Sequence, residues 1–402
     1  MRKILLGIGV LVGLIVVALG GVVAYSVHKH DKTYELPLPN ITRATSPEAI
    51  ARGKHIFQTV CASCHEDDTG SYAGRQTNDL PTAFGFMYTA NLTSHPEAGV
   101  GSWTDQELAR MIIHAIDRNG KVRPMLGFKY MSDDDVAAII GFMRSDDPGF
   151  APVAKVAPES QPAVPFKIIT AMILGINAEP RQPVTAPAEG ATPEYGKYAA
   201  TALYDCYFCH TEGFSGNKLN EPNLFAGNFE FDLSTMGVDG KLYSPNITPH
   251  PTAGIGAWTL DEFKRALREG VSRDNSILRP PMVKYRYLHD VEMEAIYKYL
   301  KTVPASDRVP KVSTVPRAKA EAAEGPDKLF SSLGCELCHG ANKQFTQKLK
   351  NAVGKSPEQV AQWIRSPESF KPGTQMPSYA ALLNEDQAVV LAKWVLDNKA
   401  KP

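Results

Sequence analysis

All six cysteines of this 402-residue chain stand in three copies of one pentapeptide pattern. The copies are Cys61-Ala62-Ser63-Cys64-His65, Cys206-Tyr207-Phe208-Cys209-His210 and Cys335-Glu336-Leu337-Cys338-His339. C-x-x-C-H is the attachment pattern for a covalent haem. The two thiols add to the porphyrin vinyl groups, and the adjoining imidazole becomes the proximal ligand of the iron. Rival uses of cysteine pairs fit poorly. A structural zinc site gathers its ligands within one small module, whereas these pairs lie more than a hundred residues apart. A redox dithiol needs no histidine, and a disulfide framework would not repeat one pentapeptide. The chain is therefore expected to carry three covalently bound haem c groups. Cys61, Cys64, Cys206, Cys209, Cys335 and Cys338 attach them, and His65, His210 and His339 bind the irons.

The N-terminus places the chain. Arg2 and Lys3 precede an apolar run from Ile4 to Tyr25, long enough to cross a bilayer as a helix. That length favours an uncleaved anchor over residues 1–30, because the apolar core of a signal peptide is shorter. Val22-Val23-Ala24 offers small residues for a signal peptidase as the competing reading. The flanking charges do not fix an orientation. Haem attachment does, since c-type maturation belongs to the oxidising periplasmic side. The expectation is a single-pass protein of the cytoplasmic (inner) membrane with its haem domains in the periplasm. Basic and acidic residues balance at 43 each, so no global field draws the chain to nucleic acid. No basic run interleaved with aromatics suggests a nucleic-acid site either.

Two Pro- and Ala-rich stretches, 148–189 and 303–325, read as exposed connectors. They divide the remainder into three modules, 40–147, 190–302 and 326–402. The first connector holds an apolar island, Phe166 to Leu174, too short to span a membrane. Packing onto a haem domain is its ordinary use; a patch for a partner or a membrane surface is the alternative.

The first two modules are an internal duplication. Tyr88-Thr89-Ala90-Asn91-Leu92-Thr93-Ser94-His95-Pro96 matches Tyr243-Ser244-Pro245-Asn246-Ile247-Thr248-Pro249-His250-Pro251. The match continues through Ala98 to Thr104 and Ala253 to Thr259, taking in Trp103 and Trp258. Thr104 with Glu107, and Thr259 with Glu262, spell capping boxes that start helices. Leu108, Met111, Ile112 and Ala115 then recur on one face, as do Phe263, Ala266, Leu267 and Val271. Each module closes with a further helix, marked by Val136, Ile139, Ile140 and Met143, by Val291, Ile296, Tyr299 and Leu300, and by Val389, Leu391, Trp394 and Val395. A short helical stretch, such as Pro47 to Val60, precedes each motif.

A proximal histidine leaves one axial position on each iron. After His339 the chain has no further histidine, and Met376 is its only methionine. By position, Met125 in Arg123-Pro124-Met125 and Met282 in Arg279-Pro280-Pro281-Met282 play the same part, after the capped helix and before the closing one. Methionine is ordinarily core filler, but a proline-flanked loop suits a ligand better. His95 and His250 are the rivals, and as proline-adjacent turn residues they read as loop positions. His55 and His114 have no counterparts in the other modules. Histidine opposite a thioether raises the reduction potential and leaves no open site on the iron. Arg110 and Arg265, equivalent in the repeat, could pair with haem propionates.

The helix–loop–helix layout resembles the class I cytochrome c fold. The implied architecture is mainly α, with three class I cytochrome c domains in tandem behind an N-terminal transmembrane helix. The repeated Tyr-Asn-Trp block with Arg-Pro-Met downstream resembles the triheme cytochrome c subunits of membrane-bound alcohol, gluconate, sorbitol and fructose dehydrogenases. The likeness covers about residues 46–146 and 190–302; the third module lacks the block and resembles an ordinary single-haem domain. Such a resemblance implies a non-catalytic relay. Its donor would be a membrane-bound dehydrogenase subunit, and its acceptor a cytochrome or terminal oxidase of the respiratory chain. The alternative is a multihaem oxidoreductase of peroxidase or sulfur-compound type. Ligand counting weighs against it: there is no spare cysteine, and each module has a methionine to close its iron. Nor does the chain hold a G-x-G-x-x-G flavin fingerprint.

Overall fold

The computed structural model describes residues 2–67, 69–77, 82–213, 219, 222–233, 240–279, 281–282, 284–315, 325–340, 345–371, 374 and 376–400. The chain separates into two compact units, one built mainly from residues up to Ala186 and one from Pro187 onward. The first motif lies in the first unit and the other two lie in the second.

The first unit begins with α1 (Arg2–Asp31), whose residues 7–31 form one helix long and apolar enough to cross a membrane. Its apolar side chains, Leu14 and Val17 among them, face outward. The foot of this helix packs against α6 (Val164–Ile168) and the π-helical turn Ile169–Leu174 that follows it. Lys29 Nζ donates to the Ala171 carbonyl at 3.1 Å, and Lys167 pairs with Asp31 at 2.5 Å. The apolar island of the first connector thus packs beside the N-terminal helix, with Met172 and Ile173 still exposed.

Between these lie α2 (Pro47–Ile56), α3 (Ala62–His65), α4 (Asp105–His114) and α5 (Asp133–Met143). Each start has its local cause. Ser46 accepts from the Ala49 amide with Pro47 in the first turn, the Thr104–Glu107 capping box is formed, and Ser132 accepts from Asp135. Helices α2 and α5 cross with Gly53 at the crossing, where a Cβ would run into the Ala138 carbonyl. Phe57, Tyr72, Phe142 and Phe150 interlock beside it, with Phe57 mostly edge to face at centroid distances of 4.7 to 5.5 Å. A small antiparallel sheet, β1 (Gln76–Thr77), β2 (Gly85–Tyr88) and β3 (Gln161–Pro162), joins the loop to the connector, with Gln76 opposite Tyr88 and Phe86 opposite Gln161.

The second unit repeats this plan with α7 (Pro193–Tyr198), α8 (Cys206–His210), α9 (Leu260–Glu269) and α10 (Asp290–Leu300). Gly196 takes the place of Gly53, with its absent Cβ against the Ala295 carbonyl. A hairpin of β4 (Glu230–Asp232) and β5 (Lys241–Tyr243) stands where the small sheet stood. The third module adds α11 (Pro326–Ser332), α12 (Glu336–His339), α13 (Pro357–Arg365) and α14 (Glu385–Asn398). Phe330 packs on Trp394 at 5.3 Å where α11 meets α14.

Two features differ from the sequence reading. Ala115 and Val271 lie beyond the ends of α4 and α9, because Ala115 (φ 54°) and Gly270 (φ 75°) turn left-handed and stop the helices. Both remain buried, Val271 as the start of a short antiparallel bridge to Ile277 and Ala115 just before the equivalent bridge from Ile116 to Val122. The helices before the first two motifs also widen into π turns, Phe57–Cys61 and Ala199–Leu203, which helical periodicity does not reveal.

Candidate haem sites

Each motif ends its own short helix, which delivers the histidine from a fixed backbone. The three imidazoles then share one contact. His65 Nδ1 lies 3.0 Å from the Ala90 carbonyl, His210 Nδ1 2.9 Å from that of Pro245, and His339 Nδ1 3.0 Å from that of Phe345. A carbonyl can only accept, so Nδ1 carries the proton and the Nε2 lone pair stays free for a metal. Burial lowers the pKa of all three rings, partly countered by that hydrogen bond, and so favours the neutral form a ligand requires.

The six cysteines form no disulfide with one another. Desolvation pushes the Cys61, Cys206 and Cys335 thiols up to about 12. A reactive redox dithiol needs the reverse shift, toward thiolate. A buried neutral imidazole with its tautomer fixed, directly after a thiol pair on the same short helix, fits covalent haem.

The three methionines sit half-buried on loops, as their sequence positions suggest. What sequence reasoning missed is the aromatic three residues after each: Phe128, Tyr285 and Tyr379. Their backbone amides donate to Ile112, Leu267 and Ile364, near the end of the middle helix of each module. Half-buried Tyr285 and buried Tyr379 lie beside the Cys206–Cys209 and Cys335–Cys338 pairs, and desolvation raises both phenols well above their usual range. The methionine loops of these two modules are thereby carried up to the attachment motifs. The M-x-x-[FY] spacing, present in all three modules, was the available signal.

The repeated block has a scaffolding role. Asn91 and Asn246 are buried; each side-chain amide donates to two carbonyls, Val153 and Lys155 or Ser306 and Arg308, at 2.8 to 3.0 Å. Their oxygens accept from the amide and hydroxyl of Thr93 and Thr248. The carbonyls that hold His65 and His210 belong to Ala90 and Pro245, the residues just before these asparagines. His95 and His250 use Nδ1 to accept from amides of their own turns, at distances of 3.0 to 3.4 Å. Arg110 donates to the carbonyls of Leu36 and Asp117, and Arg265 to that of Ser272, so these guanidinium groups pin backbone. His114, likewise, meets the Asn177 carbonyl at 2.9 Å.

Residues 50–146 match the family model for cytochrome c. A cytochrome c subunit of a quinone-type alcohol dehydrogenase from Gluconacetobacter polyoxogenes is 28% identical over 65% of this chain and 58% of its own length. The fructose dehydrogenase cytochrome subunit of Gluconobacter japonicus is 26% identical over 64% of this chain and 53% of its own. A nicotinate dehydrogenase subunit from Pseudomonas putida is 36% identical over 46% of this chain, but over 14% of its own length. The chain thus spans little more than half, or less, of these relatives. The segment around the first motif matches a cytochrome c domain, and about two-thirds of the chain is similar to the cytochrome c subunits of alcohol and fructose dehydrogenases.

Proposed function

We propose that the protein is a membrane-anchored, periplasmic triheme cytochrome c that relays electrons from a membrane-associated dehydrogenase to a respiratory acceptor. The observation that carries this reading is the threefold recurrence of one site: a thiol pair and a buried imidazole whose Nδ1 is held by a backbone carbonyl. Covalent haem in these sites would supply a one-electron iron couple. The chain's own residues would set its character. His65, His210 and His339 would give one axial ligand each, and Met125, Met282 and Met376 the other. Ligands on both sides leave no position for oxygen or peroxide. The apolar helix α1 would tether the assembly, keeping the modules near a donor that is itself bound to the membrane. The relatives' names support a dehydrogenase as that donor.

The test has two arms. A pyridine haemochrome assay on the matured protein should give three haems per chain, and ferric spectra should be low-spin throughout. A count of two, or a high-spin signal for a third of the iron, would sink the ligand scheme. Purification from detergent-solubilised membranes should bring a dehydrogenase subunit with the chain; recovery of the cytochrome alone under mild conditions would refute the proposed donor.

A further inference from the structure

Lys284 is a buried lysine, its side chain 6% exposed, in the loop that carries Met282. Lysine is seldom buried without partners. Here the ammonium meets three oxygens, all from the third module. The Met376 carbonyl lies at 2.7 Å, the Thr374 carbonyl at 3.1 Å and a Glu368 carboxylate oxygen at 3.3 Å. An ammonium carries three N–H donors, and hydrogen bonds from it are strengthened by the charge. The surrounding surface agrees. Val271 and Ile277 of the second module share a hydrophobic cluster with Leu329, Phe330, Leu333 and Tyr379, and Met376 packs against it. Pro377 lies 3.6 Å from where a Cβ on Gly270 would stand. The third module is therefore seated on the second. In the first module Gly127 occupies the place of Lys284, two residues after Met125, and offers no such group.

We propose that Lys284 is a positioning residue for the third haem. It fixes the loop that presents Met376, so that the bond from Met376 to iron persists only while the second and third modules are seated together. The proposal rests on Met376 as sixth ligand. It makes the methionine loops of two neighbouring sites one mechanical unit, with the backbone of one ligand held by a side chain two residues from the other.

The test uses the full matured chain and reads the weak far-red charge-transfer band of ferric methionine-ligated haem. Met376→Ala should remove roughly a third of that band, one haem in three. Lys284→Met should keep three haems, yet lose the same third at lower temperature or urea than the parent. Charge-assisted hydrogen bonds of this kind correspond to an iron–sulfur bond that opens about ten- to a hundredfold more often. The other two-thirds of the band should follow the parent, which general destabilisation would not allow. Lys284→Arg, still a donor, should restore most of the difference, and Lys284→Gln gives the same readout if the Met variant fails to accumulate. Lys284→Met matching the parent while Met376→Ala loses its third would overturn the clamp and leave the ligand standing. An unchanged band in Met376→Ala would overturn the ligand, and the clamp with it.

Discussion

The second and third modules hold the same three groups in place by different means. In the second, the carbonyl that orients His210 comes from Pro245, 35 residues away, and a buried asparagine staples that distant loop. In the third, the carbonyl that orients His339 comes from Phe345, six residues away. The second closes its helix crossing on Gly196 with backbones in contact, whereas the third fills its crossing with Phe330 and Trp394. Histidine orientation needs one fixed carbonyl and does not care where in the chain it arises. A long loop must be tied down to supply it; a short one is held by its own brevity, since closing a loop costs more entropy as it lengthens.

The largest expected effect tests the crossings. Gly53→Ala or Gly196→Ala places a Cβ against a backbone carbonyl that cannot yield without moving a helix, and should cost about 2–4 kcal/mol. Thermal unfolding followed by haem absorbance should show the loss in the altered module, while the band assigned to Met376 survives Gly53→Ala. Survival of both variants at the parent's melting temperature would mean that the helices can separate freely.

The staple comes next. Asn246→Ala leaves two carbonyls and the Thr248 amide and hydroxyl short of a partner, and should cost about 2–4 kcal/mol, the upper part of that range if water cannot enter. Because Asn246 follows the carbonyl that orients His210, the second haem should also lose its axial bond at lower denaturant than the other two. A uniform loss across all three haems would show that the block stabilises the chain without tuning the ligand.

A smaller effect separates the motifs by charge. Asp205 precedes Cys206, where the first and third motifs have Val60 and Gly334. Desolvation raises its carboxyl to about 7. Below that pH the group is neutral; above it the added negative charge favours ferric over ferrous iron nearby. The potential of the second haem should therefore fall as pH rises through about 7, by no more than about 59 mV per pH unit. Asp205→Asn, which tolerates the left-handed backbone at φ 46°, should abolish the slope. The sign for stability runs the same way. The folded pKa lies above the unfolded one, so stability declines between about pH 4 and 7 and the Asn variant removes that decline. A pH-independent potential in the parent would dismiss the carboxyl.

The smallest effect concerns the exit. Lys348, Lys350 and Lys355 follow the third motif, with Lys350 and Lys355 exposed; Lys343 lies outside the described residues. In the sequence this module carries ten basic against seven acidic residues. Reversal of these lysines to glutamate should slow transfer to an acidic acceptor at low salt and flatten its salt dependence, because exposed charges are screened within about 8–10 Å at physiological ionic strength. Stopped-flow oxidation at two salt concentrations reads both, and equal rates at low salt would move the exit to another module.

The sequence by itself determined where the thiol–histidine pentapeptides lie, where the helices start and that the first two modules are copies. Those features are local: a pentapeptide, a threonine three residues from a glutamate, a repeated block. The methionine loops were also legible, but not the aromatic that anchors each one, because Phe128, Tyr285 and Tyr379 read as ordinary core. Only the tertiary structure decided which carbonyl holds each histidine, why Gly53 and Gly196 must lack a side chain, and that Lys284 reaches Met376. The partners in those contacts stand between six and about a hundred residues apart, in no common register. The physical reason is that hydrogen bonding and close packing act through space, whereas period and spacing report only neighbours along the chain.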